Sequence, residues 1–248
     1  MTQLFTKSLL ITVLFGSSLW AQSWQPLFDG HSFDGWTQAN GSSVEAPAWE
    51  IVDGMLHLDR SKGAGGNLLT ERKFGDFELS FEWKVARQAN NGIKYRVADF
   101  DGRVLGLEYQ VIDDGTLPQL KPNHKTASIY DIYDVPDHNL LRPAGEFNRG
   151  RIVVRHDRIE HWLNGCRLTV AYVGSDEWNQ RIAASKFSDV EGFGTIQIGH
   201  IMITDHKDEV WYRNIYVRDL SAQTQCPPRS RRRVITKRRG LLRRILGR

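Results

Sequence analysis

Lys94 and Arg96 stand two residues apart in the run Asn90-Asn91-Gly92-Ile93-Lys94-Tyr95-Arg96, and Glu108 and Gln110 stand two apart in the next apolar run. Side chains at i and i+2 of an extended chain point the same way, so each pair shares one strand face. Where two such faces meet on the concave side of a curved sheet, a carboxylate and two cations converge. Such a group can remove a proton and stabilise the negative charge that results. Composition alone favours a plainer alternative, in which these charges solvate an outer face. His206 adds a further candidate, because Asp205-His206 precedes a run that contains Arg213-Asn214. A histidine beside an acid can be oriented and tuned for proton transfer near neutral pH. Asp137-His138 carries the same signal, and spacing does not rank the two pairs. The chain has no phosphate-cradling Gly-rich loop, His-Glu-x-x-His pair, Cys-x-x-Cys pair or nucleophile elbow, which removes the best support for nucleotide, zinc-protease and serine-hydrolase chemistry.

The elements that must hold these residues are strands. In Phe77-Glu78-Leu79-Ser80-Phe81-Glu82-Trp83-Lys84-Val85 the odd positions are apolar and the even ones polar, the alternation of a strand with one buried face. Similar runs recur at Trp49–Leu58, Gly92–Val97, Leu105–Ile112, Gly150–Arg155, Arg158–Leu163, Gly194–Ile203 and Val210–Val217. Asp53-Gly54, Asn91-Gly92, Asp101-Gly102, Asp114-Gly115 and Asn164-Gly165 are turn signals among them. Many short strands with few helices predict an all-β, antiparallel sandwich or barrel. One helix is expected in Ser175–Phe187, where Ser175 can cap and Glu177 suits the first turn. The proline-rich stretch from Asp113 to Glu146 is too long for a passive connection; Tyr130, Ile132 and Tyr133 predict that it packs and carries function.

With 248 residues, 40% of them hydrophobic and 25% charged, the chain suits one large globular domain and is neither a polytopic membrane protein nor disordered. Two cysteines supply no disulfide framework, and sequence leaves the pairing of Cys166 with Cys226 open. The net charge of +4 is unevenly distributed. Between Lys7 and the last ten basic residues lie 22 basic and 29 acidic residues, a body of net −7. Residues 1–21 have the layout of a secretory leader, which predicts export to the periplasm or the extracellular space. Residues 22–221 form a single β domain on this reading, and 222–248 an Arg-rich tail. The stripe Leu241, Leu242, Ile245 and Leu246 among arginines suits an anionic membrane surface or polyanion. A solvated tail without a partner is the equal alternative. Nucleic acid is not expected as a partner of an exported chain.

Longer words add to this. Pro26-Leu27-Phe28-Asp29-Gly30, Phe33-Asp34-Gly35-Trp36, Gly75-Asp76-Phe77-Glu78-Leu79, the run Asn90 to Arg96, and Leu107-Glu108-Tyr109-Gln110-Val111-Ile112-Asp113-Asp114 resemble the 3-keto-disaccharide hydrolase domain family. Pro143 to Asn148, His161-Trp162-Leu163-Asn164-Gly165, Ser185-Lys186-Phe187, Gly199-His200-Ile201, Thr204-Asp205-His206 and Val210 to Ile215 follow in the family's order. The resemblance covers roughly Trp24 to Leu220. It departs from the family at Ile203-Thr204 and at Lys207, beside the Asp-His pair.

The resemblance implies an antiparallel jelly-roll sandwich of the concanavalin A/laminin-G type and an enzyme that cleaves an oxidised (3-keto) sugar. A ketone at C3 acidifies the C2 proton, so one base can form an enolate that expels the glycosidic oxygen from C1. An ordinary glycosidase needs two carboxyl groups instead. On this reading Glu108 or His206 is the base. Lys94, Arg96 or a bound divalent cation stabilises the enolate, with Asp113 as a cation ligand or orienting acid. Tyr130 and Trp162 offer flat surfaces to a sugar, and Lys186, Asp205 and Arg213 complete the substrate site. The resemblance implies no definite cofactor, and whether a divalent cation is bound stays open. The alternative function is a non-catalytic carbohydrate-binding jelly-roll module, because the fold does not decide between the two.

Overall fold

The computed structural model describes residues 23–44, 48–117 and 119–221. The leader and the basic tail inferred from the sequence lie outside the described residues, as does Cys226. Thirteen strands and one helix follow in chain order: β1 (Gln25–Pro26), β2 (Trp36–Gln38), β3 (Trp49–Val52), β4 (Met55–Leu58), β5 (Leu68–Thr70), β6 (Phe77–Val85), β7 (Asn90–Phe100), β8 (Arg103–Ile112), β9 (Asn148–Arg155), β10 (Arg158–Leu163), β11 (Cys166–Tyr172), α1 (Asp176–Ala184), β12 (His200–Ile203) and β13 (Val210–Asp219). They form two antiparallel sheets. The larger has the order β11-β10-β9-β6-β13-β4-β3, with β1 also on β13; the smaller has the order β2-β5-β12-β7-β8. Neighbours distant in sequence, such as β6 beside β13 and β12 beside β7, make this an all-β jelly-roll sandwich.

The core fills the space between the sheets. The odd residues of β6, Phe77, Leu79, Phe81, Trp83 and Val85, are all buried there, as the period-2 alternation predicts. They meet Tyr95 of β7 and Tyr109 of β8 edge to face: Phe81 and Tyr109 have ring centroids 5.2 Å apart at 87°, Phe77 and Tyr95 6.2 Å apart at 70°. Since Ile93, Tyr95, Leu107, Tyr109 and Val111 point inward, the alternate residues Lys94, Glu108 and Gln110 point to the other face of the smaller sheet.

Ser175 caps α1, its side chain accepting from the Trp178 N–H at 3.1 Å. The expected strand Gly194–Ile203 shrinks to His200–Ile203, because Gly192 and Gly194 take positive φ and keep the chain turning before it. The hairpin partner of β10, Cys166–Tyr172, was not anticipated beyond its Asn164-Gly165 turn. The long loop after β8 is packed, with Ile129, Ile132, Tyr133 and Val135 buried. It covers the free edge of β8 through Ala127 N–H to Gln110 O (2.9 Å) and Tyr130 N–H to Glu108 O (3.0 Å), which removes an unpaired edge.

His161, in β10, is a core residue. Its Nε2 accepts from the Tyr95 hydroxyl at 3.0 Å, and its Nδ1 donates to the carbonyls of Ala127 and Ser128 at 3.1 Å. Burial pushes its pKa down to about 4, against the upward pull of the two carbonyls. The folded state therefore resists protonation. His161 contributes its full stability above pH 6.5, where the unfolded chain is also neutral, and loses it as pH falls from 6.5 toward 4. At 1.36 kcal/mol per pH unit the loss reaches about 3 kcal/mol at pH 4. Denaturant titrations across this range should show wild type and His161→Gln converging in stability on acidification; a constant gap between them would contradict the assignment.

Candidate active site

Lys94 and Glu108 are register partners on β7 and β8, so the backbone ladder itself brings a cation against a carboxylate. The Lys94 Nζ lies 3.8 Å from Glu108 Oε2, and the His206 Nε2 lies 4.0 Å from Glu108 Oε1. Both distances exceed the 2.7–3.2 Å of a nitrogen–oxygen hydrogen bond. The carboxylate is flanked by two nitrogen bases without being locked to either. Glu108 is buried and Lys94 half-buried, whereas His206 is exposed on the loop between β12 and β13. That loop is pinned by Asp205, whose Oδ2 accepts from the N–H groups of Gly65 (2.7 Å) and Gly66 (2.8 Å), and whose Oδ1 accepts from Lys207 N–H (2.6 Å).

The space for the Glu108 side chain comes from Gly92. A Cβ at this position would lie 2.1 Å from Glu108 Oε1 and 2.8 Å from its Cδ. Gly92→Ala must swing the carboxylate away from Lys94 and His206, and because the obstructed group is a side-chain end, the fold can survive. Misplacing a reacting group by an ångström costs about 100-fold in rate. Loss on that scale with a nearly unchanged melting temperature is expected; wild-type turnover would show that the carboxylate position is immaterial.

Two loops complete the group. Lys186, just beyond α1, holds its ammonium 4.3 Å from the Tyr130 ring centroid. Desolvation pushes the Lys186 pKa down and the nearby charge of Lys94 adds to this, against the pull of Glu108 and Asp131. Desolvation, reinforced by the carboxylates of Glu108 and Asp131, raises the Tyr130 pKa and keeps it a protonated phenol. Sequence reasoning missed His124 and Asp131. The His124 Nε2 is 2.8 Å from Asp131 Oδ1, its ring stacks on Tyr130 at 4.7 Å, and Asp131 Oδ2 accepts from the Lys186 N–H at 2.7 Å. Partial burial pushes the Asp131 pKa up, but the bonds from His124 and Lys186 outweigh it and the net shift is downward. Asp131 thus ties Tyr130 and Lys186 together. Since the Tyr130 ring already packs on His124 and Lys186, its hydroxyl is the more useful group toward a substrate.

Five residues expected at the site stand apart from this group or hold structure. Arg96 is buried elsewhere: a bulge between Tyr95 and Ala98 and a φ of 52° break its parity with Lys94, and its Nη2 donates to His156 O at 2.6 Å. Asp113 accepts from Gln88 N–H at 2.9 Å and from the Thr116 hydroxyl, closing turns at the end of β8. Asp205 holds backbone, as described. Trp162 and Arg213 lie on the outer face of the larger sheet, where Trp162 Nε1 donates to Glu160 (2.7 Å) and Arg213 Nε to Glu82 (2.8 Å). Alternation of side chains along a strand does not say which of two sheets the strand joins. Among the described residues no group of three His, Cys, Asp or Glu is placed to hold a metal ion. Glu108 has the Lys94 ammonium beside it as well as His206, a cation where a metal site would want a further donor.

Comparison with known proteins agrees with this architecture. A crystal structure of a candidate glycosyl hydrolase from Parabacteroides distasonis ATCC 8503 superposes with a TM-score of 0.72 at 27% identity, covering 79% of this chain and 94% of that one. A second structure from the same organism gives 0.65 at 23% identity, with 80% and 100% covered, and supports the fold alone. A protein of Bacteroides thetaiotaomicron named 3-keto-disaccharide hydrolase is 31% identical over 232 aligned residues, covering 81% of this chain and 79% of that one. The model of the 3-keto-alpha-glucoside-1,2-lyase-like domain matches residues 23–218, nearly the whole described body, and the chain belongs to that family.

Proposed function

We propose that this protein is a hydrolase of 3-keto-disaccharides that works by proton abstraction at C2, and that Glu108, Lys94, His206, Lys186 and Tyr130 are its working groups. Family membership and the Bacteroides relative support the substrate class. The observation that carries the mechanism is the buried Glu108 carboxylate between Lys94 and His206, at 3.8 and 4.0 Å. One carboxylate among cations suits enolate chemistry better than a glycosidase mechanism, which needs a second carboxyl across the anomeric carbon.

In this reading Glu108 takes the C2 proton, and the C–H electron pair moves onto the C3 oxygen as an enolate. Lys94 and Lys186 stabilise that oxygen, as preorganised cations do for charge that develops only in the transition state. The enolate collapses to a C1=C2 double bond as the C1–O bond breaks. The leaving oxygen takes a proton from His206 or the Tyr130 phenol. Water then adds its hydroxyl at C1 and a proton at C2, giving the free 3-keto sugar.

The test compares a 3-keto-glucoside with its unoxidised parent. The protein is expected to cleave the ketone and leave the parent intact, since without the carbonyl C2 is not acidic. Equal cleavage of both, or of neither, would overturn the proposal.

A further inference from the structure

On the outer face of the larger sheet, away from Glu108, a hollow of about 350 Å³ is lined by Arg142, Arg149, Arg151, Trp162, Asn164 and Gly165. The Trp162 indole is fixed by its 2.7 Å bond to Glu160. The Arg151 guanidinium stacks 4.4 Å from the ring centroid and that of Arg167 lies at 5.8 Å. Arg151 is paired with Glu78 at 2.7 Å. Arg142 and Arg149 make no ion pair among the described residues, although Glu82 stands opposite Arg149 in the ladder: Arg142 Nη1 donates to Phe147 O at 3.0 Å, and Arg149 Nε and Nη2 reach Ser80 Oγ at 3.4 and 3.3 Å. The floor is rigid. The Asn164 amide donates to Leu140 O and to Asn148 Oδ1 at 2.8 Å, and its oxygen accepts from Arg149 N–H at 2.7 Å, which spends the side chain on holding the β10–β11 turn against the loop.

Three guanidiniums line this hollow beside the indole: Arg151 is held by Glu78, Arg149 stands across the β6–β9 ladder from Glu82, which is already engaged by Arg213, and Arg142 has no ion pair among the described residues. Arg142, Arg149, Arg151 and Arg213 outnumber the two carboxylates set against them, Glu78 and Glu82, and guanidinium forks match planar carboxylate and tetrahedral sulfate oxygens. The indole is partly exposed with Arg151 covering a face of it, so its remaining surface together with the flat stacked guanidinium can meet the apolar side of a sugar ring, and the hollow is within the size range of small-ligand sites. We propose that this hollow binds an acidic saccharide, a sugar residue bearing a carboxylate or sulfate group, separately from the catalytic site. Arg142 and Arg149 hold the anionic group, and Trp162 with its stacked Arg151 supports the ring. The sheet sandwich would then carry a binding face on one side and a reaction face on the other.

The experiment titrates the full-length protein with an oligogalacturonate, a sulfated oligosaccharide and a neutral maltooligosaccharide at ~0.15 M salt, an ionic strength at which loose surface attraction is largely screened. Binding is followed by calorimetry and tryptophan fluorescence. Saturable binding of at least one acidic saccharide is expected, with the neutral one at least tenfold weaker. The carboxylate and sulfate arms identify the preferred anion. Arg142→Ser/Arg149→Ser should weaken that binding at least tenfold while leaving turnover of the 3-keto-glucoside unchanged. The basic tail is the same in both proteins, so the difference reports on the hollow. Equal affinity for neutral and acidic sugars, no binding of either acid, or undiminished binding by the double variant would each overturn the proposal. Displacement by inorganic sulfate at concentrations equal to the saccharide would do so as well, because it would reduce the site to a generic anion hole. The outcome is independent of the catalytic assignment, since the readout is binding.

Discussion

Glu108→Gln should lower turnover of a 3-keto-glucoside by about 10²–10⁴-fold, the range for loss of a positioned general base. The amide keeps the shape of the carboxylate and fills the space left by Gly92, but it does not accept the C2 proton. Glu108 makes no short ion pair, its neighbours lying at 3.8 and 4.0 Å, so the fold loses no tight contact and the melting temperature should hold within a few degrees. A variant that unfolds would show a structural role. A well-folded variant with near-normal turnover would transfer the base function to another residue, with His206→Ala as the variant to compare next.

Lys94→Met should cost about 10²–10³-fold, the scale seen when one stabiliser of a developing oxyanion is removed. The methionine keeps most of the aliphatic stem and deletes the charge. Because the C3 oxygen acquires its charge only on the way to the enolate, the loss should fall on kcat with little change in KM. A rise in KM at constant kcat would instead make Lys94 a substrate-binding group. Lys186 gives an internal comparison. Its ammonium is partly spent on the Tyr130 ring at 4.3 Å, so Lys186→Met should be milder than Lys94→Met.

The strands were readable because side-chain direction alternates with a period of two and the core is a sheet-on-sheet interface. β6 and β10 match the expected limits, and the facing of Lys94 with Glu108 follows from the same rule. That rule fails at a bulge, and Arg96 lies in one, its neighbours holding it where the ladder with β8 slips. Nothing in the local sequence marks the slip. Nor does alternation say which of two sheets a strand joins, and this placed Trp162 and Arg213 on the far side of the molecule from Glu108. His124 and Asp131 were out of reach for a different reason. They come from an irregular stretch whose path is set by what it packs on, and only its length and its buried tyrosines hinted that it mattered.

The working groups have two different origins. Lys94 and Glu108 are joined across a backbone ladder, while His206, Lys186 and Tyr130 ride on three separate connections. If Glu108 and Lys94 are the base and the oxyanion stabiliser we propose, grafting a foreign connection onto the scaffold would exchange what is recognised around the scissile bond and leave these two residues in register. On that mechanism, variants built on this scaffold can diverge in the sugars they accept while keeping one way of breaking the bond.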